Sequence, residues 1–358
     1  MERVAILFFV TTSLTSCTGA SAPGPRLELP PELAGASGVA GPEVKPDGAG
    51  FHSAAFPIFG TRCELTLGAP DREAATDAVD AALAELRRID ALMSEWRSDS
   101  EISRVNAAAG LHPVRVSDEV LELVSLALDA AAHSSGAFDP SWAGMRGVWR
   151  FGDAMDGEVP ADAAIEDARR RVDWRKVRVD RDAGTVYLEE AGMALGLGGI
   201  AKGWAVDRLA ANLRQAGIRD FVIKLGGELY AAGRRGGHAW TAGVLDPRDP
   251  GSVVATLEIE DRAFSTSGDY ERYFVKDGVR YHHVIDPATG RPATASRSVT
   301  ALCPDATTAE IVTKPVFIKG PGEGIPYGAS LGCVVVVIDA AGELHVSGGL
   351  AGRLQLAE

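Results

Sequence analysis

The stretch "LGGIAKGWAVDRLA", Leu197 to Ala210, constrains this chain more than any other. Paired glycines run directly into a helical pattern, with a lysine in the first turn and an aspartate five residues later. Glycines entering a helix leave backbone amides bare, and the helix dipole adds to their pull on an anion. Lys202 in the first turn is slightly unfavourable for that dipole, so an anionic partner explains its placement, and phosphate fits best. The segment is neither a Gly-x-x-x-x-Gly-Lys-[Ser/Thr] phosphate loop nor a Gly-x-Gly-x-x-Gly dinucleotide turn. Asp207 lies off the Lys202 face and is expected to cap or pair locally.

Around this segment the chain alternates helical and strand-like runs without strict βαβ order. Val79, Leu83, Leu86, Ile89 and Met93 recur at spacings of three and four, one apolar stripe on a long helix. A second helix is expected in "SDEVLELVSLALDAAAHSSG", with Ser117 as cap and Gly136 as stop. A third runs from about Ala201 to Ala216 and ends at Gly217. "KVRVD", "TVYLEEA", "MALGLGG", "FVIKLGGELYAAG", "WTAGVLDP" and "VVATLEIE" read as strands. Asp277-Gly278 marks a hairpin turn, and "GCVVVVIDAAGELHVSGGL" reads as another hairpin. This mixture, with no internal repeat, predicts a single layered α+β domain over 51–358.

Ahead of it, "MERVAILFFVTTSLTSC" has an apolar core too short to span a bilayer, followed by small residues before Cys17. That is an export signal over 1–17. Its ending resembles a bacterial lipoprotein signal, with Cys17 as the lipid-bearing first residue of the mature chain; an ordinary secretory peptide is the alternative. Residues 18–50, rich in Pro, Gly and Ala, read as a flexible tether. Cys63, Cys303 and Cys333 remain; their number and spacing indicate neither a disulfide framework nor a metal site, and they are expected to be small buried residues. A net charge of -13 with no Lys/Arg-rich run excludes nucleic acid as a partner. Any anionic ligand must be met locally.

Seven polar, turn-rich segments stand out: "MSEWRSDSEISRVN", "GAFDPSW", "GLGGIAKGWAVD", "KLGGELYAAG", "FSTSGDYERYF", "HHVIDPATGRPA" and "DATTAEIVTK". Singly, each has a structural explanation as a helix start, a turn or a close backbone approach. His283 and Asp286 lie close enough to reach one pocket beside a turn, where a neutral histidine can act as base or ligand.

In combination and in order, these segments resemble the ApbE family, the FAD:protein FMN transferases, from about Phe56 to Gly320. "GIAKGWAVD", "TSGDYERY" and "HVIDPATG" are the most specific. The resemblance implies the family's α+β fold, FAD as substrate with a divalent cation, usually Mg2+, and transfer of FMN to a Thr or Ser hydroxyl of a target flavoprotein with release of AMP. It places Lys202 near the phosphates and makes the Gly199 carbonyl and Glu310 metal ligands. It puts Phe59 at a flavin-contacting position, Trp96 at the ring-stacking position and Ala137, Phe138 and Asp139 in the cofactor-binding "AFD". His283 matches the histidine before Ile-Asp-Pro, and His283 or Asp286 is the candidate for handling the hydroxyl proton or orienting the diphosphate.

Three departures gather at the expected cation site. Gly196 stands where the family has an acid, Glu310 where it has a shorter aspartate, and Lys314 where it has a metal-binding threonine, with Thr313 one place early. An ammonium at Lys314 can occupy the space of one metal and contact phosphate itself. Pro315 is expected to interrupt the helix there. Two further functions compete with transfer: an FAD-binding lipoprotein without turnover, and a pyrophosphatase that splits FAD into FMN and AMP. On the leading reading the protein is exported, held to the membrane by its N-terminal lipid, and meets its flavoprotein partner there.

Overall fold

The computed structural model describes residues 41–151, 156–249, 251–350 and 354–357. Its frame is a nine-stranded sheet in which every neighbouring pair is antiparallel. The strand order across it is Lys45–Pro46, Phe51–Ile58, Thr61–Gly68, Phe221–Leu225, Glu228–Ala232, Arg262–Gly268, Ser296–Cys303, Val334–Asp339 and Leu344–Val346. The helices are α1 (Arg72–Met93), α2 (Glu101–Ala107), α3 (Asp118–Ser134), α4 (Asp162–Arg169), α5 (Ala201–Gln215) and α6 (Ala306–Ser330).

Side chains alternate across a strand, so the central strands feed two separate cores. In Phe221–Leu225, Phe221, Ile223 and Leu225 join the larger core with Val79, Leu83, Leu86, Ile89 and Met93 of α1 and with Trp204, Val206 and Leu209 of α5. Val222 points the other way and packs with Trp240, Ala242, Val244, Leu257 and Ile259 of a three-stranded sheet laid over the opposite face. Thus α1, α5 and α6 cover one face and strands cover the other, the layered α+β arrangement expected. The same alternation decides the placement of one charged residue. Glu228 shares its face with Tyr230 and Ala232, both in the larger core, so its carboxylate points toward the helices.

Local signals place most elements as expected. Ser117 caps α3 by accepting from the Val120 amide, and Asp71 caps α1 through the Ala74 amide. The left-handed turn ending α3 begins one residue early, at Ser135, and continues through Gly136. Asp277 and Gly278 both adopt positive φ at the hairpin tip joining Tyr273–Lys276 to Val279–His282, which is the turn their side chains favour.

Four expectations fail. "MALGLGG" is no strand: beyond one bridge at Ala194 it is an open loop, held because Asn106 bonds both the amide and the carbonyl of Leu195. "FVIKLGGELYAAG" is two strands, not one, folded at Gly226-Gly227. Cys303 and Cys333 are joined by a disulfide, since the sheet brings the end of one strand beside the loop after α6, a proximity that spacing does not reveal. Cys63 stays free and buried. Pro315 does not interrupt α6; the helix runs through it and breaks instead at Gly320, whose φ of 69° is closed to a continuing helix. Folded structure also begins before residue 51, because Val44 is buried and Lys45–Pro46 pair with His52 and Ser53. Cys17 and the export signal lie outside the described residues.

Candidate functional site

The glycine loop and α5 meet α6 at close range. A Cβ on Gly203 would stand 2.3 Å from the Ala306 carbonyl, so only glycine lets the two helices cross there. Asp207, one turn further along α5, reaches over to cap α6: its carboxylate accepts from the Ala306 amide at 2.7 Å, the Thr307 amide at 2.8 Å and the Thr307 hydroxyl at 2.6 Å. The aspartate expected to cap or pair locally therefore caps another helix, beside that helix's own Asp305, which accepts from the Thr308 amide. It has the bare amides it needs because helix starts leave them without internal partners.

That crossing builds a cluster of four charges. Glu310, fully buried on α6, accepts from the Gly203 amide at 2.7 Å and pairs with the Lys202 ammonium. Lys202 also donates to the Gly198 carbonyl at 3.0 Å and lies 3.3 Å from a Glu228 carboxylate oxygen. Three protein oxygens thus surround an ammonium that has three donors. Lys314, one turn after Glu310, donates to the Glu310 carbonyl at 2.7 Å, with the Glu310 carboxylate 3.8 Å away. Both lysines keep 24% of their side chains open to water, so they line a cleft.

Electrostatics follow from this packing. Burial by itself would lower the Lys202 value, but the Glu228 and Glu310 carboxylates outweigh it and hold Lys202 above the ordinary lysine range. Lys314 falls below that range because burial, seconded by the neighbouring Lys202 charge, exceeds what Glu310 and Glu228 return. Glu228 is pushed up to about 7, chiefly by burial and then by Glu310. Packing around its ring, then Arg272, His282 and Lys314, lower the His283 imidazole below the usual histidine value. Its side chain still reaches solvent, and its backbone amide donates to the Arg272 carbonyl.

The remaining expected residues divide. Phe138 lies beside the glycine loop, its ring edge 3.1 Å from where a Gly199 Cβ would stand. Asp139 is buried and fixes its own loop, accepting from the Ser141 amide and hydroxyl and from the Trp174 amide, while Ala137 leads into it. Trp96 is 64% exposed, with the Arg146 guanidinium 4.6 Å above its ring. Phe59 occupies the tight turn between Phe51–Ile58 and Thr61–Gly68 at a φ of 55°. Asp286 is taken up by a turn: its carboxylate accepts from the Ala288 amide, and its carbonyl from the Gly290 amide. That makes it a poor candidate for proton transfer.

Two residues of the site escaped the sequence reading. Glu228 was legible only as the polar member of a strand whose alternate residues are core. Glu95, beside Trp96, is buried and paired to Arg146 at 2.7 Å. Its second oxygen stands 2.7 Å from the position a Gly196 Cβ would take, next to the Trp142 ring nitrogen. The space a side chain at 196 would need is filled by these two residues, which is a physical reason for glycine there.

An anion-attracting glycine loop crossed by a lysine-bearing helix, on a layered antiparallel sheet, defines a protein that grips a phosphorylated ligand. The comparisons narrow this class. The model of the ApbE family matches residues 59–348. The FAD:protein FMN transferase of Treponema pallidum is 35% identical over 75% of this chain and 79% of its own. That of Klebsiella pneumoniae is 35% identical over 67% and 74%. Among solved structures, the ApbE protein of Thermotoga maritima superposes with a TM-score of 0.75 at 30% identity, covering 83% of this chain and 97% of its own. The flavin transferase ApbE of Vibrio cholerae does so with a TM-score of 0.75 at 27% identity, covering 87% and 99%. This chain belongs to the ApbE family.

The family resemblance implies a divalent cation between the Gly199 carbonyl and Glu310, and the residues present do not fit one. A hard cation needs several oxygen ligands. Here Glu310 is already shared by Lys202 and the Gly203 amide, Glu228 lies 3.3 Å from the Lys202 ammonium, and position 196 offers no acid. Lys314 stands where a ligand oxygen is expected, and its ammonium has no lone pair to give. Among the described residues, the only His, Cys, Asp and Glu atoms grouped closely enough to share an ion are those of Asp339, Glu343 and His345, at the sheet edge.

Proposed function

We propose that this protein transfers FMN from FAD to a Thr or Ser hydroxyl of a target flavoprotein, releasing AMP. The observation that carries the reading is the crossing of α5 and α6. It sets bare loop amides, the Lys202–Glu310–Glu228 cluster and Lys314 in one cleft beside Phe138 and His283, on the fold shared with named flavin transferases. In the reaction the acceptor oxygen forms a bond to the FMN phosphorus, the bond from that phosphorus to the bridging oxygen breaks, and AMP leaves with that oxygen. Little covalent help is needed, so this chain's work is positioning and charge neutralisation. Loop amides and Lys314 hold the diphosphate, Lys202 keeps Glu310 and the loop in place, and Phe138 and Trp96 bracket the flavin side. Neutral His283 accepts a hydrogen bond from the attacking hydroxyl and orients it, and the hydroxyl proton ends on the departing AMP phosphate or on water.

The protein works outside the cytoplasm, tethered by lipid on Cys17 to the membrane where it meets its flavoprotein. The Cys303–Cys333 bond supports export, because disulfides persist in oxidising compartments. Among the described residues no helix is long and apolar enough to cross a membrane. A Cys17→Ser chain should shift from the membrane fraction to the soluble one; unchanged membrane association would overturn the anchor.

The activity test is incubation of the purified protein with FAD and a Thr-bearing acceptor flavoprotein. Covalently fluorescent acceptor and one AMP per label are expected. Free FMN and AMP without labelled acceptor would identify a pyrophosphatase. FAD retained intact over hours would identify a binding protein.

A further inference from the structure

The misfit at the expected cation site has a constructive side. Resting on the flavin-transfer reading, we propose that Lys314 replaces the divalent cation of this family, so that this chain grips the FAD diphosphate through an ammonium and binds it without magnesium.

Three observations carry this. First, the two lysines of the cleft are not equivalent. Lys202 donates to the Gly198 carbonyl and Glu310 and lies 3.3 Å from Glu228, so its charge is offset from within the protein. Lys314 directs one donor to the Glu310 carbonyl and makes no other hydrogen bond among the described residues. Two of its three donors are therefore available to a ligand. Second, Lys314 lies where the ion is expected. Its Cε is 3.8 Å from the position of a Gly199 Cβ and its Nζ is 3.8 Å from the Glu310 carboxylate, between the two residues expected as ligands. Third, the local charge balance suits a dianion. The two ammoniums stand beside two carboxylates, those of Glu310 and Glu228. The cleft thus holds no excess negative charge before any ion enters. Adding a dication would place it against two fixed ammoniums, whereas adding a diphosphate satisfies the donors Lys314 has left. A lysine is a competent phosphate partner, acting as a point charge.

The experiment measures FAD binding to the full folded chain by calorimetry, in excess EDTA and again in Mg2+. Equal affinity in the two conditions, within about twofold, is expected. Lys314→Met should weaken FAD binding by about tenfold or more in either condition, the fold-change expected for one charge-assisted hydrogen bond. Lys314→Thr, which restores the family's oxygen ligand, should weaken binding in EDTA and recover on adding Mg2+. Paramagnetic Mn2+, titrated without flavin into a His345→Ala chain that disables the group at the sheet edge, should remain free. FAD binding by the wild type only when Mg2+ is present, or stoichiometric uptake of Mn2+ by the His345→Ala chain, would overturn the proposal and leave flavin transfer standing. No FAD binding in either condition would remove both.

Discussion

The two faces of the central sheet are built from the same strands and differ in what they tolerate. The face under the three-stranded sheet packs Val222, Leu229, Phe264, Leu302 and Val336 against Trp240, Val244 and Leu257, and by strand alternation it also carries Lys224, 3.5 Å from Glu64, and Thr266, hydrogen-bonded to Thr300 at 2.9 Å. The helix face is equally buried yet takes in Glu228, Ser267, Thr313 and Glu310. Each of these has a partner within reach: Lys202 for Glu228, the Thr313 oxygen for the Ser267 hydroxyl at 2.8 Å, and Lys202 with the Gly203 amide for Glu310. Burying a charge is tolerable only when it is paired and hydrogen-bonded. The helix face can satisfy this because helix starts supply free amides and because two helices cross there. The strand-covered face has no helix starts, and its backbone groups are spent in the ladders. The cluster of four charges is therefore built on the helix side of the sheet.

Changes on each face should separate these roles. Glu310→Ala should have the largest effect, because it strands the Lys202 ammonium and the Gly203 amide. Breaking a buried pair in this way costs roughly 3–5 kcal/mol. Urea unfolding should show it together with loss of FAD binding, and a change below about 1 kcal/mol would mean that the four charges are not coupled as drawn. Next comes Leu257→Ala on the strand-covered face, at about 2–5 kcal/mol for a fully buried leucine. FAD affinity of the folded protein should stay the same. If affinity fell in proportion to stability, the division between faces would be lost.

Smaller effects sharpen the comparison. Asp207→Ala removes the acceptor at the start of α6 and should destabilise by about 1–2 kcal/mol, while Asp207→Asn should recover part of it. The smallest effect concerns Glu228. Its folded-state carboxyl titrates near about 7, above the ordinary glutamate value it would have unfolded, with burial and Glu310 as causes against Lys202 and Lys314. A raised folded value means that the folded protein holds the proton longer. The stabilisation is complete at pH below the unfolded value and fades as pH rises through about 7. Glu228→Gln should flatten that decline between about pH 5 and 8 in unfolding midpoints. An unchanged slope would place the titration elsewhere.

Much of the fold was legible because its signals are local. The α1 stripe, the Ser117 cap, the Asp277-Gly278 turn and the α5 span each depend on residues within a turn or two, and all appear where the sequence predicts. The site was half legible. The glycine loop, Lys202, Phe138, His283 and Glu310 announce themselves by motif, and the structure brings them to one cleft. Asp286, equally conspicuous, proved to serve a turn. Glu228 and Glu95 carried no motif signal, since a lone glutamate in a strand or at a helix end has no local pattern to mark it.

By itself, then, the sequence determined most of the helix and strand segments and that the domain is layered α+β, and it marked the start of α5 as a candidate anion site. Only the tertiary structure decided that Asp207 caps a helix about a hundred residues away, that Cys303 meets Cys333, and that Lys202 is neutralised from within while Lys314 is left facing the cleft. The reason is one of range. Periodicity, caps and turns act between neighbours in the chain, whereas partners such as Lys202 and Glu310, 108 residues apart, are chosen by sheet register and by a glycine that lets two helices touch.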